Sequence, residues 1–372
     1  LRRTFEKIQS SRLGTEFGKP RLSNTNPHTK MMYQDLSIPD PAIVLDHLEA
    51  FRRSKAMFAA VDLGVFDALG DTTISSEDLA AQLHCHESSL RLLLESCVGL
   101  GLLKRTTEGF QNTDVSRAYL CSDSSRRMTG YIQYSNHVMW KMWANLEDAI
   151  REGTHRWKQT FGFDGPIFSH FFRTPEAMEE FLMGMHGFGM ITSPRIVELF
   201  DLSRYRVLCD LGGATGHLAI AACHRYPTLA AKVFDLPHAL DLARRMTREA
   251  GLSDRIEIVG GDFFVDPLPE ADLYALGRIV HDWDEPKIRI LLQKIYDALP
   301  KGGALLIGEK VLWENRSGPR WAQMQSLNML VCTEGKERSG AEYAQLLRGV
   351  GFSQVAVSRT QVPLDAVLAI KS

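Results

Sequence analysis

The sequence predicts an α/β protein, with a doubly wound, mainly parallel sheet of seven strands in its C-terminal part and an all-α domain ahead of it. Three observations carry this. From about residue 206 onward, short β-rich runs alternate with helical stretches. The chain ends in two strand-like runs whose connection is short enough to permit only an antiparallel hairpin. Before residue 200 the apolar positions follow helical spacing, apart from one small hairpin.

The helical part starts near Pro41. Residues 43–69 place Phe51, Met57, Phe58, Val61, Val65 and Phe66 at helical intervals. Ser75-Ser76-Glu77-Asp78 caps a short helix, and Glu87-Ser88-Ser89 opens a leucine-rich one. After Gly101 a hairpin turns at Thr107-Glu108-Gly109. Two helices and a hairpin read as a winged helix. DNA binding is disfavoured, because Arg91 is the only base on the second helix and groove readers need several phosphate-binding cations. Packing or dimerisation is the better reading. Residues 131–200 are read as helical and rich in aromatics and methionines, most of them core and some able to wall a pocket.

The strands are expected at 207–211, 232–234, 256–259, 273–276 and 305–307, with helices at 218–226, 240–250, 286–299 and 341–350. Runs at 354–357 and 366–370 form the closing hairpin, so one strand of seven is reversed. The expected division is a leader over 1–38, a helical dimerisation and substrate-lid domain over 39–200, and a catalytic domain over 201–372.

Apolar residues make up 44% of the chain and charged residues 24%, which suffices for a sizeable core. A net charge of −2 points to neither nucleic acid nor membrane as a partner. Six cysteines without a C-x-x-C pair fit reduced thiols in a cytoplasmic protein and no zinc site. No apolar run approaches the roughly 18–20 residues that span a bilayer. The first thirty residues are polar; Glu6 and Glu16 count against a transit peptide, and a disordered leader is the expectation.

The first strand runs into Asp210-Leu211-Gly212-Gly213-Ala214-Thr215-Gly216-His217. Glycines at a strand-to-helix turn let backbone approach a ligand. A dinucleotide fingerprint needs glycine at 212, 214 and 217, and two of those positions hold Ala214 and His217. An adenosyl ligand with an amino-acid tail fits better, with Asp210 available to its amine. The second strand ends in Asp235-Leu236, where a carboxylate can accept from ribose hydroxyls. The third ends in Gly261-Asp262-Phe263, offering an acceptor for an adenine amino group and a ring to cover its face. Each acid alone would read as a surface or capping residue; three successive strand ends favour the adenosyl ligand.

The fourth strand leads to His281-Asp282-Trp283, on the ligand side of the sheet. Glu309 follows the fifth strand, and Glu337 lies in Thr333-Glu334-Gly335-Lys336-Glu337-Arg338. A lone histidine is more often structural, but a carboxylate that holds one ring nitrogen makes the other a base. A phenol of pKa about 10 needs such a base to become nucleophilic.

These stretches, with Asp266-Pro267-Leu268-Pro269 and 325–331, resemble the plant-type small-molecule O-methyltransferases, and within them the hydroxyindole O-methyltransferases. The resemblance runs from about residue 45 to 371. It implies a Rossmann-like S-adenosyl-L-methionine methyltransferase domain behind a winged-helix dimerisation domain, a homodimer, a small aromatic hydroxyl acceptor and no metal. It implies that His281 is the base, oriented by Glu309 and Glu337. It implies that Gly212, Asp235, Asp262, Phe263 and Arg278 contact the cofactor and that Trp157 lies near its tail. Asp210, Gly213, Gly216, Leu236 and Gly261 complete the expected cofactor set.

Ala214 stands where the family often has glycine and is expected to be tolerated at negative φ. Residues 181–192 depart from the pattern, leaving the acceptor open. Met185, His186, Met190 and Asp282 are the candidate pocket residues, with core packing the equal alternative for the methionines. Methylation of a nitrogen or an enolic oxygen, and a catalytically silent homologue, are the competing readings. The intact His281, Glu309 and Glu337 count against silence.

Overall fold

The computed structural model describes residues 39–165 and 167–372. The expected leader over 1–38 lies outside them. The chain falls into two units, one ending at Phe51 and one running from Arg52 to Ser372. Helix α1 (Ala42–Asp62) begins in the first, where Ile43, Val44, Leu45 and Leu48 are exposed.

In the second unit, α2 (Ser76–Gln82) is capped by the Ser75 side chain, which accepts from the Asp78 N–H. Helix α3 (Glu87–Gly99) follows, then strands β1 (Leu103–Arg105) and β2 (Phe110–Asn112), paired antiparallel. Leu79, Leu90, Leu94, Leu103 and Phe110 share one core.

Residues 114–171 form short helical pieces, not one long run. A π-helical turn, Ser135–Met139, interrupts one stretch, and Gly153 and Gly162 end two helices in the left-handed conformation. Helix α4 (Pro175–Ile196) is the longest of the described helices, begun by Thr174 as cap and Pro175 in its first turn. Its Leu182, Phe188 and Ile196 join the core beneath the sheet.

The sheet is built from β3 (Val207–Leu211), β4 (Ala230–Asp235), β5 (Ile256–Gly260), β6 (Leu273–Gly277), β7 (Ala304–Glu309), β8 (Gln354–Ser358) and β9 (Asp365–Ile370). Their order is β5-β4-β3-β6-β7-β9-β8. β9 alone runs against its neighbours, pairing antiparallel with both β7 and β8. The predicted reversed strand is therefore present.

The intervening helices are α5 (His217–Arg225), α6 (Leu240–Glu249), α7 (Glu285–Ala298), α8 (Arg320–Cys332) and α9 (Gly340–Gly349). Asp284 caps α7, and a Ser339–Glu342 capping box starts α9. Helix α8 was not expected from the pattern. Its apolar residues do not gather on one stripe: Ala322 and Met329 are buried, whereas Trp321 and Met324 are exposed. Strand order switches direction between β3 and β6, which opens a crevice at their carboxyl ends. Among the described residues, no helix is long and apolar enough to cross a membrane.

Candidate active site

A cavity of about 1050 Å3 opens at that crevice. The strand ends supply one wall: Gly212 and Ala214 after β3, Asp235 and Leu236 at β4, Gly261, Asp262 and Phe263 after β5. Arg278, His281 and Asp282 after β6 continue it. α4 supplies Phe181, Met185 and Phe188, and α8 supplies Trp321, Gln325 and Asn328.

Gly212 has φ +66°, a left-handed conformation that favours glycine, and a Cβ there would crowd Ile279 Cδ1 at 2.6 Å. Ala214 does not meet the condition expected of it. Its φ is +49°, in the left-handed region, which costs an alanine about 1 kcal/mol. Its N–H donates to Asp235 Oδ2 at 2.7 Å, and the Leu236 N–H donates to Asp235 Oδ1 at 2.7 Å. Asp235 thus holds the turn and still faces the cavity. Burial raises its carboxyl, opposed by these two amides.

Asp210 does not reach the cavity. It is 2% exposed, accepts from the Ala219 N–H at 3.3 Å, and burial pushes its carboxyl up to about 7. Gly213 and Gly216 shape the same turn from outside the cavity wall. Trp157 is also displaced from its expected place. It is fully buried, donates from Nε1 to the Cys332 carbonyl at 2.9 Å, and packs on Phe161, His170 and Phe171.

On α4 the cavity face runs through Phe181, Met185, Phe188 and Thr192 at intervals of three and four. His186 and Met190 fall off that stripe. His186 Nδ1 lies 2.9 Å from Thr215 Oγ1, and burial lowers its pKa to about 4. Met190 is part-exposed and outside the wall.

His281 is 2% exposed and sits in a 3-10 turn, Val280–Asp282. Its Nδ1 lies 2.6 Å from Glu337 Oε1, and its Nε2 lies 3.6 Å from Asp282 Oδ1. Glu309 holds a different part of the residue from the one expected. Its Oε1 accepts the backbone N–H of His281 at 3.0 Å, not a ring nitrogen. Its Oε2 accepts from the Tyr343 hydroxyl. Glu309 and Glu337 are each 1% exposed and stand behind the imidazole, outside the cavity wall.

Burial pushes Glu337 up to about 8, against the pull of Arg278 and Arg338. Burial likewise pushes Asp282 up to about 7, with His281 opposing. One ligand atom each from His281, Glu309 and Glu337 lies within 4.8 Å of the others. Nδ1 and Oε1 at 2.6 Å are too close to share an ion bound at about 2.0–2.2 Å in a tetrahedral site, where ligands stand over about 3 Å apart. They form a hydrogen bond.

Gly335 passes directly against this turn. A Cβ there would lie 2.1 Å from the His281 carbonyl oxygen. Arg338 Nη1 donates to the Val280 carbonyl at 3.0 Å and fixes the turn from the other side.

Tyr343 and Arg338 were not singled out in the sequence, and nothing local marks Tyr343: its contact with Glu309 spans 34 positions. His217 also faces the cavity, with Nδ1 2.8 Å from Ser193 Oγ, and burial lowers its pKa to about 3. The available signal was a histidine where a dinucleotide turn requires glycine. Arg278, at φ +60°, stacks its guanidinium 4.6 Å from the Phe188 ring centre, and its buried Nη1 has no partner among the described residues. That orphaned donor, the bare turn at Gly212 and the acids at two strand ends fit an adenosyl group carrying a polar tail.

A family model described as an O-methyltransferase domain matches residues 143–353, and one described as an O-methyltransferase dimerisation domain matches 45–122. The chain belongs to the O-methyltransferase family. Acetylserotonin O-methyltransferase of Gallus gallus is 39% identical over 338 residues, which cover 89% of this chain and 97% of that relative. A probable bifunctional dTTP/UTP pyrophosphatase/methyltransferase protein of Homo sapiens is 39% identical over 336 residues, and the match spans 54% of its length. The crystal structure of human N-acetylserotonin methyltransferase in complex with SAM superposes with a TM-score of 0.86 at 36% identity, covering 90% of this chain and 99% of that one. The O-methyltransferase domain match takes in strands β3 to β7 and both acids behind His281.

Proposed function

We propose that this O-methyltransferase moves a methyl group from S-adenosyl-L-methionine to the hydroxyl of a small aromatic acceptor, with His281 as general base. S-adenosyl-L-methionine, when bound, supplies the methyl group as a sulfonium. Gly212, Asp235, Leu236, Gly261, Asp262, Phe263 and Arg278 hold it: the carboxylates accept from hydroxyl and amino groups, and Arg278 Nη1 donates to an anionic tail.

The observation that carries the base assignment is the 2.6 Å contact between His281 Nδ1 and Glu337. An N–H donated there leaves the Nε2 lone pair toward the cavity. Proton removal from a phenol or hydroxyindole follows, and Glu337 stabilises the imidazolium that forms. The aromatic walls, with Tyr131, Phe181 and Phe188 among them, exclude water and hold a planar ring.

We assign residues 39–200 to dimerisation and a substrate lid, and 201–372 to catalysis, in a homodimer. The exposed Ile43, Val44, Leu45 and Leu48 support a further partner surface. Six free cysteines support a reducing, cytoplasmic setting.

The test is radiolabelled methyl transfer from S-adenosyl-L-methionine over phenols, hydroxyindoles, arylamines and enols. Label on phenolic or indolic oxygen, lost in His281→Ala with cofactor affinity retained, is the expected result. Label on nitrogen, or no transfer at all, overturns the acceptor class.

A further inference from the structure

Behind the imidazole lies a second line of contacts that methyl transfer has not yet used. Tyr343, on α9, is fully buried, and its hydroxyl donates to Glu309 Oε2. Glu309, at the end of β7, gives its other oxygen to the backbone N–H of His281. A chain of contacts therefore runs from α9 through β7 to the turn bearing the base. We propose that Tyr343 is a positioning residue for the reaction, acting through Glu309 to hold the His281 main chain and keep a negative charge behind the imidazole. The proposal rests on the reading of His281 as base.

A phenol in a dry interior is an expensive group unless its hydrogen is placed. Here it is placed on a carboxylate, the strongest acceptor available. The groups around Glu309 decide what that does. Burial raises the Glu309 carboxyl and Glu337 adds to this, whereas His281, the Tyr343 hydroxyl and Arg338 each pull it back toward the charged form. Asp282 also faces the cluster from the cavity side, and Glu337 faces Arg278, Arg338 and Asp365. With the hydroxyl gone, Glu309 takes up a proton more readily. One negative charge then leaves the neighbourhood of His281, and the imidazolium is less favoured. Tyr343 is absent from the wall of the cavity in which acceptor and cofactor would lie.

The test is a pH titration of the His281 ring in the full chain labelled with 13C at histidine Cε1, the signal being assigned by its loss in His281→Gln. Tyr343→Phe is expected to lower the His281 midpoint by about 0.5–1 pH unit. Glu309→Gln is expected to lower it at least as far. In the double variant, Tyr343→Phe should add nothing, because the tyrosine acts only through the carboxylate. An unmoved midpoint in Tyr343→Phe, or an equal drop when Glu309 is already Gln, overturns the proposal.

If Tyr343→Phe does not fold, 3-fluorotyrosine placed at 343 tests the same link. This stronger donor should raise the midpoint, and an unmoved or lowered midpoint overturns the proposal. Failure of the base reading is separate: His281→Gln with normal turnover would sink that reading whatever the titration shows.

Discussion

His281 Nδ1 and Glu337 Oε1 stand 2.6 Å apart in a setting that leaves each residue at most 2% exposed. The carboxylate decides which ring nitrogen keeps its proton, and so which one is free to act. In Glu337→Gln an amide N–H can donate to Nδ1 and turn the ring into the opposite tautomer, with hydrogen on the nitrogen facing the cavity. Turnover is expected to fall by about 100-fold or more, with cofactor affinity nearly unchanged. Single-turnover rates and calorimetric cofactor titration measure the two separately. Turnover within threefold of wild type would remove Glu337 from the mechanism.

The same pair sets a pH dependence. Burial holds the Glu337 carboxyl up near 8, so the pair retains a shared proton through neutral pH. Methyl transfer to a phenolic acceptor should rise with pH and level off above about 8. Stability should move the other way. The folded-state value is raised above the usual 4.5, so this group's contribution is complete below 4.5 and is lost as pH climbs through about 8. Melting temperatures at pH 5, 6.5 and 8.5 should fall more steeply for wild type than for Glu337→Gln. Parallel curves would contradict the raised carboxyl.

Gly335 lies outside the cavity wall, yet it packs against the turn that carries His281. A methyl group there meets the His281 carbonyl at 2.1 Å and the Trp283 nitrogen at 2.8 Å, both backbone atoms that cannot swing aside. Gly335→Ala is expected to displace the 281–283 turn and cost at least 100-fold in turnover, since small misplacements of a catalytic group are expensive. Wild-type turnover in the purified variant would show that the turn yields freely.

Ala214 makes a prediction of the opposite sign. At φ +49° the alanine is strained, and glycine is not. Ala214→Gly should stabilise the protein by about 1 kcal/mol and keep the N–H bond to Asp235. Thermal unfolding checks it; a lower melting temperature would mean that the methyl group earns more from packing than it loses in backbone strain.

The alternation of strands and helices, the closing hairpin and the acids at successive strand ends were legible along the chain. They are local: each depends on side-chain period, a short connection, or a residue next to its own strand. Strand order then brings Asp235, Asp262 and His281 to one edge, as the doubly wound pattern requires. Asp210 and Trp157 show the limit. Their types suited a polar ligand, but the direction in which each side chain leaves its element turned Asp210 under α5 and Trp157 into an aromatic core.

The division of labour behind His281 was beyond sequence reading for the same reason. That two acids follow the histidine could be read from the chain. Which of them takes the ring, which takes the main chain, and that a tyrosine on α9 completes the set depend on contacts spanning 28, 56 and 34 positions. Local pattern carries the strands and the kinds of residue at their ends, because it records period and neighbour chemistry. Packing of β7, α9 and the 333–338 segment against one turn decided the roles, because burial there leaves each polar atom few partners to choose from.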